Sequence, residues 1–330
     1  MEYYYFLCGE NTAKTTEKIK ESIECWLNSP ELIALVTAFG GEIPEDLDVT
    51  ERAKWLLLFS DNWDYRRKQK TKDAKTGEAA RWLVNNEAIT PGQEKVVFEN
   101  VEKLGLKGIS EPLLEQYDYI IALGGARMSC LFRPKYVKEV IDKRGFSPKA
   151  VVMLSGMRPV LESERMATDT YAPGAETEFD LINAGSEQIF GLQREYTEER
   201  YCSVNPNSSW AIRKYADLKY DFPVLSVSGP SSEPEKRRAN SADTFCFFAK
   251  KQQIQPESKV LLITSQIYVP YQQMEAVRTW AIPNNIYVET VGFPTEWNDS
   301  KQQGMMLAAN YLQEVRSTIQ AINRYLGERV

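Results

Sequence analysis

The N-terminal part of the chain, residues 1–112, has apolar residues at helical spacing. Within residues 16–27, one side of the predicted helix consists of Ile19, Ile23, Trp26 and Leu27. Because positions three and four apart lie on the same side of a helix, this spacing predicts an amphipathic helix. An aromatic run at residues 3–7 predicts one short strand before it.

Two sequence motifs mark where further helices of this region begin. Asp48 is followed three residues later by Glu51, the spacing of a capping box, in which each side chain accepts a hydrogen bond from the other residue's backbone. Thr90 precedes Pro91, and proline is favoured at the first position of a helix. The motifs predict one helix over residues 50–60 and another that starts at Pro91, and thus a mainly helical N-terminal region.

From residue 113 the pattern changes to short apolar runs separated by amphipathic stretches. Runs of this length are typical of strands buried on both faces, as in a parallel sheet covered by helices. The sequence therefore predicts a second domain over residues 113–330, an α/β domain with a doubly wound, Rossmann-like parallel sheet. The five predicted strands are residues 119–123, 150–154, 223–227, 260–263 and 286–290.

Small or hydroxyl-bearing residues follow most of these strands. In open α/β sheets, ligands bind beyond the carboxyl ends of the strands, where small residues let backbone N–H groups face an anion. A tight strand-to-helix turn is the alternative explanation at any single position. The candidate ligand contacts at these ends are Gly124, Gly125, Ser155, Gly156, Thr264 and Ser265.

Three arginines follow the first two predicted strand ends, namely Arg127, Arg133 and Arg158. The guanidinium group is planar and donates paired hydrogen bonds to phosphate or carboxylate groups. We therefore predict that these arginines contact an anionic ligand at the strand ends.

A second basic segment, residues 231–244, leaves the third predicted strand and enters a helix. Arg237 and Arg238 follow Lys236 in this segment, and Asn240 and Thr244 lie where the helix begins. The N-terminus of a helix favours anions, because its backbone N–H groups and dipole point toward them. We predict these four residues as further ligand contacts. A solvated basic turn with ordinary helix caps is the alternative.

Candidate catalytic groups are carboxylates and a tyrosine, because the chain contains no histidine. That absence excludes Ser-His-Asp triads, Cys-His pairs and HExxH zinc helices. Glu178 and Asp243 lie on elements that enter the predicted site, and Tyr268 lies in the turn after the fourth strand. Spacing alone does not choose among the acids of this region, which are Glu162, Glu164, Glu176, Glu178, Glu233 and Asp243. No spacing of ligand-type residues predicts a metal site.

Composition is that of an ordinary globular protein. The 330 residues are 43% hydrophobic and 26% charged, and the net charge of −6 disfavours a surface for duplex nucleic acid. The five cysteines contain no CxxC pair, which predicts free thiols in a reducing compartment. With no signal-peptide pattern and no apolar stretch of membrane-spanning length, we predict a cytoplasmic protein without membrane contact. The oligomeric state stays open.

A basic run at residues 66–75 lies near Trp63 and Trp82. Basic residues interspersed with aromatic ones bind RNA in some proteins. A solvated charged face is the commoner reason for such a run, so RNA association is the weakest of the functional hypotheses.

Five segments of the second domain occur in the order found in the ElyC/SanA/YdcF family of α/β proteins. They are residues 120–125 ending in Gly-Gly, 151–156 ending in Ser-Gly, the acidic helix 176–190, the Asn-to-Thr segment 240–244, and residues 262–271 with Thr-Ser. The chain resembles a soluble, divergent member of that family with a helical N-terminal extension, and the likeness spans residues 117–296.

The resemblance implies an α/β fold with a ligand edge, and it leaves the reaction open. Some members of the family act in envelope and lipid-carrier processes, and one branch is linked to S-adenosylmethionine binding. Tyr268 and Tyr271 stand where the family has a histidine and an arginine, so the role of that histidine does not carry over. The membrane anchor of the envelope members is also missing from this sequence.

These features predict binding of a small anionic or nucleotide-like ligand, such as a phosphorylated metabolite or an S-adenosylmethionine-like molecule. A transferase or hydrolase activity would depend on positioning and electrostatic stabilisation rather than on a histidine base. Magnesium carried by a phosphate substrate is compatible with the sequence. The alternative hypothesis is a non-catalytic ligand sensor or assembly partner.

Overall fold

The structure, a computed structural model, describes residues 12–66, 84, 86–193, 195–215, 220–297 and 306–327. The predicted strand over residues 3–7 and the basic run after Arg66 lie outside the described residues. The chain divides into two units. The first comprises Met1–Ile109, Gln266–Arg278 and Pro294–Val330, and the second comprises Ser110–Ser265 and Thr279–Phe293. Two segments of the predicted second domain therefore belong to the first unit.

The secondary structure of the described residues is as follows, in chain order. The helices are α1 (Thr12–Leu27), α2 (Pro30–Ala38), α3 (Val49–Phe59), α4 (Pro91–Asn100), α5 (Ser129–Arg144), α6 (Arg165–Thr168), α7 (Glu178–Phe190), α8 (Ser241–Gln252), α9 (Val269–Ala276), α10 (Ile282–Asn284) and α11 (Ala308–Gly327). The strands are β1 (Tyr119–Leu123), β2 (Ala150–Ser155), β3 (Tyr196–Tyr201), β4 (Trp210–Tyr215), β5 (Val224–Ser228), β6 (Lys259–Ser265) and β7 (Tyr287–Phe293). A π-helical segment, Val277–Ala281, follows α9.

The first unit is helical in its described residues, as predicted for the N-terminal region. Asp48 and Glu51 form the predicted capping box at the start of α3, with Asp48 Oδ1 accepting from Glu51 N at 2.8 Å. Helix α4 starts at Pro91, as predicted, and Thr90 exchanges capping hydrogen bonds with Gln93. The apolar side of α1 is buried, including Ile23 and Trp26. The capping residues in the sequence thus predicted both helix starts correctly.

The second unit contains one seven-stranded sheet in the order β3-β4-β5-β2-β1-β6-β7. The strands β5, β2, β1, β6 and β7 are parallel to one another, and all five correspond to predicted strands. The strands β3 and β4 are antiparallel. The sheet is therefore mixed and mostly parallel: the predicted parallel sheet accounts for five of its seven strands, and the antiparallel hairpin was not predicted.

The β3–β4 hairpin escaped prediction because its first strand carries little apolar signal. Five of the six β3 side chains are exposed and none is buried, as expected for a strand at the edge of a sheet. Its sequence, Tyr-Thr-Glu-Glu-Arg-Tyr, shows neither the continuous apolar run nor the alternation that marks a half-buried strand.

Helices α7 and α8 pack on opposite faces of the sheet. The hydroxyl of Tyr215 on β4 donates to Asn183 Oδ1 of α7 at 3.1 Å, and Tyr119 on β1 packs edge-to-face against Phe248 of α8. Side chains alternate between the faces of a strand. The pairing registers from β4 through β5 and β2 to β1 therefore place Tyr215 and Tyr119 on opposite faces.

Helix α7 also crosses α5 at very short range, at Gly185. A Cβ atom on Gly185 would lie 2.1 Å from Cys130 O and 3.2 Å from Leu131 Cα. Both are backbone atoms, which cannot move aside as the end of a flexible side chain can. Glycine at this position sets the spacing of the two helices, and this crossing holds the N-terminal end of α7 near the β1–α5 turn.

We expect Gly185→Ala to lower the free energy of unfolding by about 1–3 kcal/mol, the usual cost of overpacking. Alanine in a helix interior would otherwise add about 0.5–1 kcal/mol of stability. Gly92→Ala in α4 is the control, because a Cβ atom there meets no atom within 4 Å. Urea unfolding measures both variants, and equal or greater stability of Gly185→Ala would contradict the close approach.

Candidate functional site

The carboxyl ends of β5, β2 and β1 lie side by side. The parallel register pairs Ser228 with Ser155 and Leu154 with Leu123. Just beyond β1, Gly124 donates its backbone N–H to Leu154 O at 2.6 Å. The structure thus brings the predicted contacts Gly124 and Ser155 together at the carboxyl ends of these strands, which we call the carboxyl edge of the sheet. Ser228, which the sequence did not single out, lies there too.

The hydroxyl-bearing residues at this edge are divided between the two faces of the sheet. By register, Ser155 and Ser228 point to the face that α7 covers, whereas Thr264 points to the face of α8. The next residue, Ser265, faces the α7 side and accepts a hydrogen bond from Arg133 Nη2 at 3.3 Å. Only part of the predicted contact set therefore shares one face.

Glu178, the first residue of α7, lies directly against Gly124. A Cβ atom on Gly124 would lie 2.3 Å from Glu178 Oε1 and 2.7 Å from Ser155 Cβ. The same carboxylate oxygen accepts a hydrogen bond from Gly156 N at 3.3 Å. Glycine at position 124 is required for this approach, so the Gly-Gly turn after β1 admits a carboxylate to the edge.

Arg158 lies between two carboxylates. Its Nε donates to Glu178 Oε2 at 3.1 Å, and its Nη1 and Nη2 donate to the two oxygens of Glu164 at 2.6 and 3.0 Å. Glu164 is fully buried. Burial alone lowers the pKa of a guanidinium, but Glu178 and Glu164 outweigh it and raise the pKa of Arg158. The predicted ligand arginine is therefore held in internal ion pairs.

Glu164 also fixes the turn that follows β1. Its carboxylate accepts from the backbone N–H groups of Arg127 at 3.1 Å and Leu161 at 2.9 Å. Arg127 has a left-handed backbone, φ +53°, which is uncommon outside glycine. Tyr171 donates its hydroxyl to Arg127 O at 2.7 Å, and burial is the main cause of the raised pKa of Tyr171. Sequence spacing did not single out Glu164 and gave no signal for Tyr171.

Arg133 is buried and bonds to the end of β1. Its Nη1 donates to Leu123 O at 2.9 Å and also to Gly124 O. A Cβ atom on Gly125 would lie 3.0 Å from the same Nη1 and 2.9 Å from Ser129 Cβ. In this position Arg133 satisfies strand-end carbonyl groups, and the second glycine of the turn makes room for it.

The basic segment before α8 forms the start of that helix. Asp243 Oδ2 accepts from Arg237 Nη1 at 2.5 Å, and Asp243 exchanges capping hydrogen bonds with Asn240. Thr244 Oγ1 donates to Asn240 O at 3.1 Å, and Arg238 is exposed. Burial raises the pKa of Asp243, but hydrogen bonds, first that from Arg237, reverse the shift and lower it. Asn240 and Asp243 form the capping box of α8, and Arg237 pairs with the Asp243 carboxylate.

The three predicted catalytic residues belong to three different elements of the structure. Glu178 begins α7 on one face of the sheet, and Asp243 lies in the first turn of α8 on the other face. Tyr268 belongs to the first unit. Glu178 lies against the predicted glycine turn and serine.

Several buried hydroxyl groups of the second unit make no hydrogen bond within the described residues. They belong to Ser155, Ser226, Ser228, Thr264 and Thr290, and each of these residues is at most 5% exposed. Buried polar groups are nearly always hydrogen-bonded in folded proteins, so each exception requires an explanation. Ser155 and Ser228 are adjacent at the edge beside Glu178, which makes this edge the candidate site.

The described residues also bear on two other kinds of function, metal binding and membrane spanning. Among the described residues, no group of three or more cysteine, aspartate or glutamate side chains is arranged to hold a metal ion. None of the described helices combines the length and the apolar character needed to span a membrane.

Cys130 lies on α5 beneath the site and is fully buried. Its thiol donates to Gly125 O at 3.1 Å. Burial, with a further contribution from Glu178, raises the pKa of the Cys130 thiol to about 12. Such a thiol stays protonated at neutral pH and does not act as a nucleophile.

We expect iodoacetamide at pH 8 to leave Cys130 unmodified in the folded protein, because a pKa near 12 leaves about 10⁻⁴ of the thiol ionised. The exposed thiols Cys25 and Cys202 are the internal controls and should be alkylated. Peptide mapping by mass spectrometry gives the extent at each site. Modification of Cys130 at the rate of Cys25 would show that this thiol is neither buried nor held protonated.

Comparison with known proteins identifies relatives along nearly the whole chain. Residues 10–105 match the family model described as Rv3785 N-terminal domain. Two curated relatives, "Uncharacterized protein Rv3785" of Mycobacterium tuberculosis and "Uncharacterized protein Mb3814" of Mycobacterium bovis, are each 34% identical over 328 residues, covering 94% of this chain and 90% of the relative. No solved structure gives a significant match. The resemblance to the ElyC/SanA/YdcF family stays a prediction, whereas the mycobacterial matches show that the chain belongs to the Rv3785 family.

Proposed function

We propose that this chain binds a small anionic or nucleotide-like ligand at the carboxyl edge of β5, β2 and β1. The observation that carries the proposal is the pair of buried hydroxyls, Ser155 and Ser228, that make no hydrogen bond within the described residues. Ser155 lies beside the Glu178 carboxylate and the Gly124 turn, and Ser228 is its register partner on β5. Leaving a buried polar group unsatisfied costs about 1–3 kcal/mol, which a ligand that bonds to these hydroxyls would offset.

The order of the strands supports a site that includes the β1 end of this edge. The parallel strands run outward from β1 to β2 and β5 on one side, and to β6 and β7 on the other. We propose that they form a doubly wound, Rossmann-like core, in which helices α7 and α8 cover opposite faces. In such sheets the ligand crevice opens at the point where the strand order reverses, which here is between β1 and β6, next to Gly124.

An enzyme and a sensor are both compatible with such a site. In an enzyme, Glu178 would be the acid or base of a transfer or hydrolysis reaction, acting on S-adenosylmethionine or on a magnesium-bound phosphate substrate. The position of Asp243 favours the second candidate function, a ligand sensor, because Asp243 lies in the capping box of α8 on the other face of the sheet from Glu178. A ligand recovered unchanged after prolonged incubation with the protein would favour the sensor.

The proposal includes a cytoplasmic location and a relation to the ElyC/SanA/YdcF family. Each of the four cysteines in the described residues is a free thiol, which supports a reducing, cytoplasmic compartment. We also propose that the chain is related to ElyC/SanA/YdcF proteins, because Gly124 and Ser155 at this edge belong to the segments that resemble that family. RNA binding through residues 66–75 remains the weakest hypothesis.

We expect Ser155→Ala to raise the free energy of unfolding by about 1 kcal/mol while it weakens ligand binding about tenfold. Removing a buried hydroxyl without a partner removes its desolvation cost, and the bound ligand then loses a hydrogen bond. Calorimetric titration with AMP, S-adenosylmethionine and inorganic phosphate measures binding, and urea unfolding measures stability.

Ser226→Ala is the matched control for this experiment. Ser226 is also buried without a hydrogen bond, but it lies two residues before Ser228, away from the edge. It should show the same gain in stability and unchanged affinity. Wild-type protein that binds none of the three probes, or Ser155→Ala with wild-type affinity for them, would contradict the proposed site.

A further inference from the structure

The Glu178 carboxylate has free capacity to accept hydrogen bonds at the edge. In the described part of the chain, its Oε1 accepts one hydrogen bond, from Gly156 N at 3.3 Å, and its Oε2 accepts one, from Arg158 Nε at 3.1 Å. An ionised carboxylate has about four acceptor positions. The side chain is 14% exposed, so a ligand donor has access to it.

Hydroxyl groups lie next to that carboxylate on the same face of the sheet. Ser155 Cβ and Glu178 Oε1 both lie within 3 Å of the position that a Gly124 Cβ would take, and Ser228 is the register partner of Ser155 on β5. A serine hydroxyl both donates and accepts. The edge therefore offers a ligand one carboxylate that accepts hydrogen bonds, beside a serine hydroxyl that can donate or accept them.

The guanidinium that contacts Glu178 is already paired within the fold. Arg158 forms ion pairs with both Glu164 and Glu178, and Arg133 bonds to the carbonyl groups at the end of β1. A phosphate placed against Glu178 would meet like charge, which is unfavourable. The atom that meets Glu178 must instead be a hydrogen-bond donor.

We infer that Glu178 and Ser155 recognise neighbouring hydroxyl groups of the ligand, such as the vicinal diol of a ribose or of another sugar phosphate. One hydroxyl donates to Glu178 Oε1, and its neighbour exchanges a hydrogen bond with Ser155. In dinucleotide-binding sheets an acidic side chain accepts from a ribose hydroxyl in the same way. The inference rests on the proposed function and narrows its ligand class from anions in general to diol-bearing ones.

The test compares each diol with its deoxy counterpart by calorimetric titration. AMP is paired with 2′,3′-dideoxy-AMP, and ribose 5-phosphate with 2-deoxyribose 5-phosphate, which separates a nucleotide from a free sugar phosphate as the source of the diol. We expect at least one diol to bind the wild-type protein about tenfold or more tightly than its counterpart. Glu178→Gln should reduce that ratio toward one, because a neutral amide oxygen is a weaker acceptor than a carboxylate.

Glu176→Gln is the matched control, since Glu176 is exposed two residues before Glu178 and should keep the wild-type ratio. If Glu178→Gln does not fold, Ser155→Ala serves as the second variant and should also lower the ratio. Binding with equal affinity for diol and deoxy counterpart in both pairs would overturn the inference and leave the proposed site intact. Absence of binding by all four compounds would overturn both.

Discussion

One buried guanidinium connects the parts of the carboxyl edge. Arg158 bonds to Glu164 in the loop after β2 and to Glu178 at the start of α7, and Glu164 in turn bonds to the backbone of Arg127 after β1. Removing one partner from a buried ion pair costs about 3–5 kcal/mol, whereas exposed pairs contribute about 0–1 kcal/mol. The positions of both carboxylates and the left-handed turn at Arg127 depend on this cluster.

This arrangement determines what the edge offers to a ligand. Arg158 and Arg133 are engaged by carboxylates and strand-end carbonyl groups. Within the described residues, the hydroxyls of Ser155 and Ser228 and the Glu178 carboxylate keep hydrogen-bonding capacity. Gly124 allows that carboxylate to approach the strand end, and Gly185 holds α7 close to α5. The backbone and the ion pairs thus position Glu178, which supports the proposed recognition of ligand hydroxyl groups at this edge.

The sequence predicted the features of this molecule that depend on local pattern. Buried parallel strands produce continuous apolar runs, and capping boxes such as that at Asp48 need only neighbouring residues, so both were predicted correctly. The exposed strand β3 carries no such pattern, and its hairpin was missed. The sequence also did not predict that Arg158 forms internal ion pairs. Its partners Glu164 and Glu178 come close to it only in the folded chain. Asp243 resembled a catalytic acid in sequence, but in the structure it caps α8.

Hydrogen exchange measured by mass spectrometry tests the central claim, a ligand site at the carboxyl edge beside Glu178, most directly. The protein would be compared in the absence and presence of saturating AMP or ribose 5-phosphate. The account predicts slower exchange in peptides that contain Gly124–Arg127 and Gly156–Arg158, the backbone that borders Glu178 and Ser155. Protection confined to peptides that contain neither segment would contradict it.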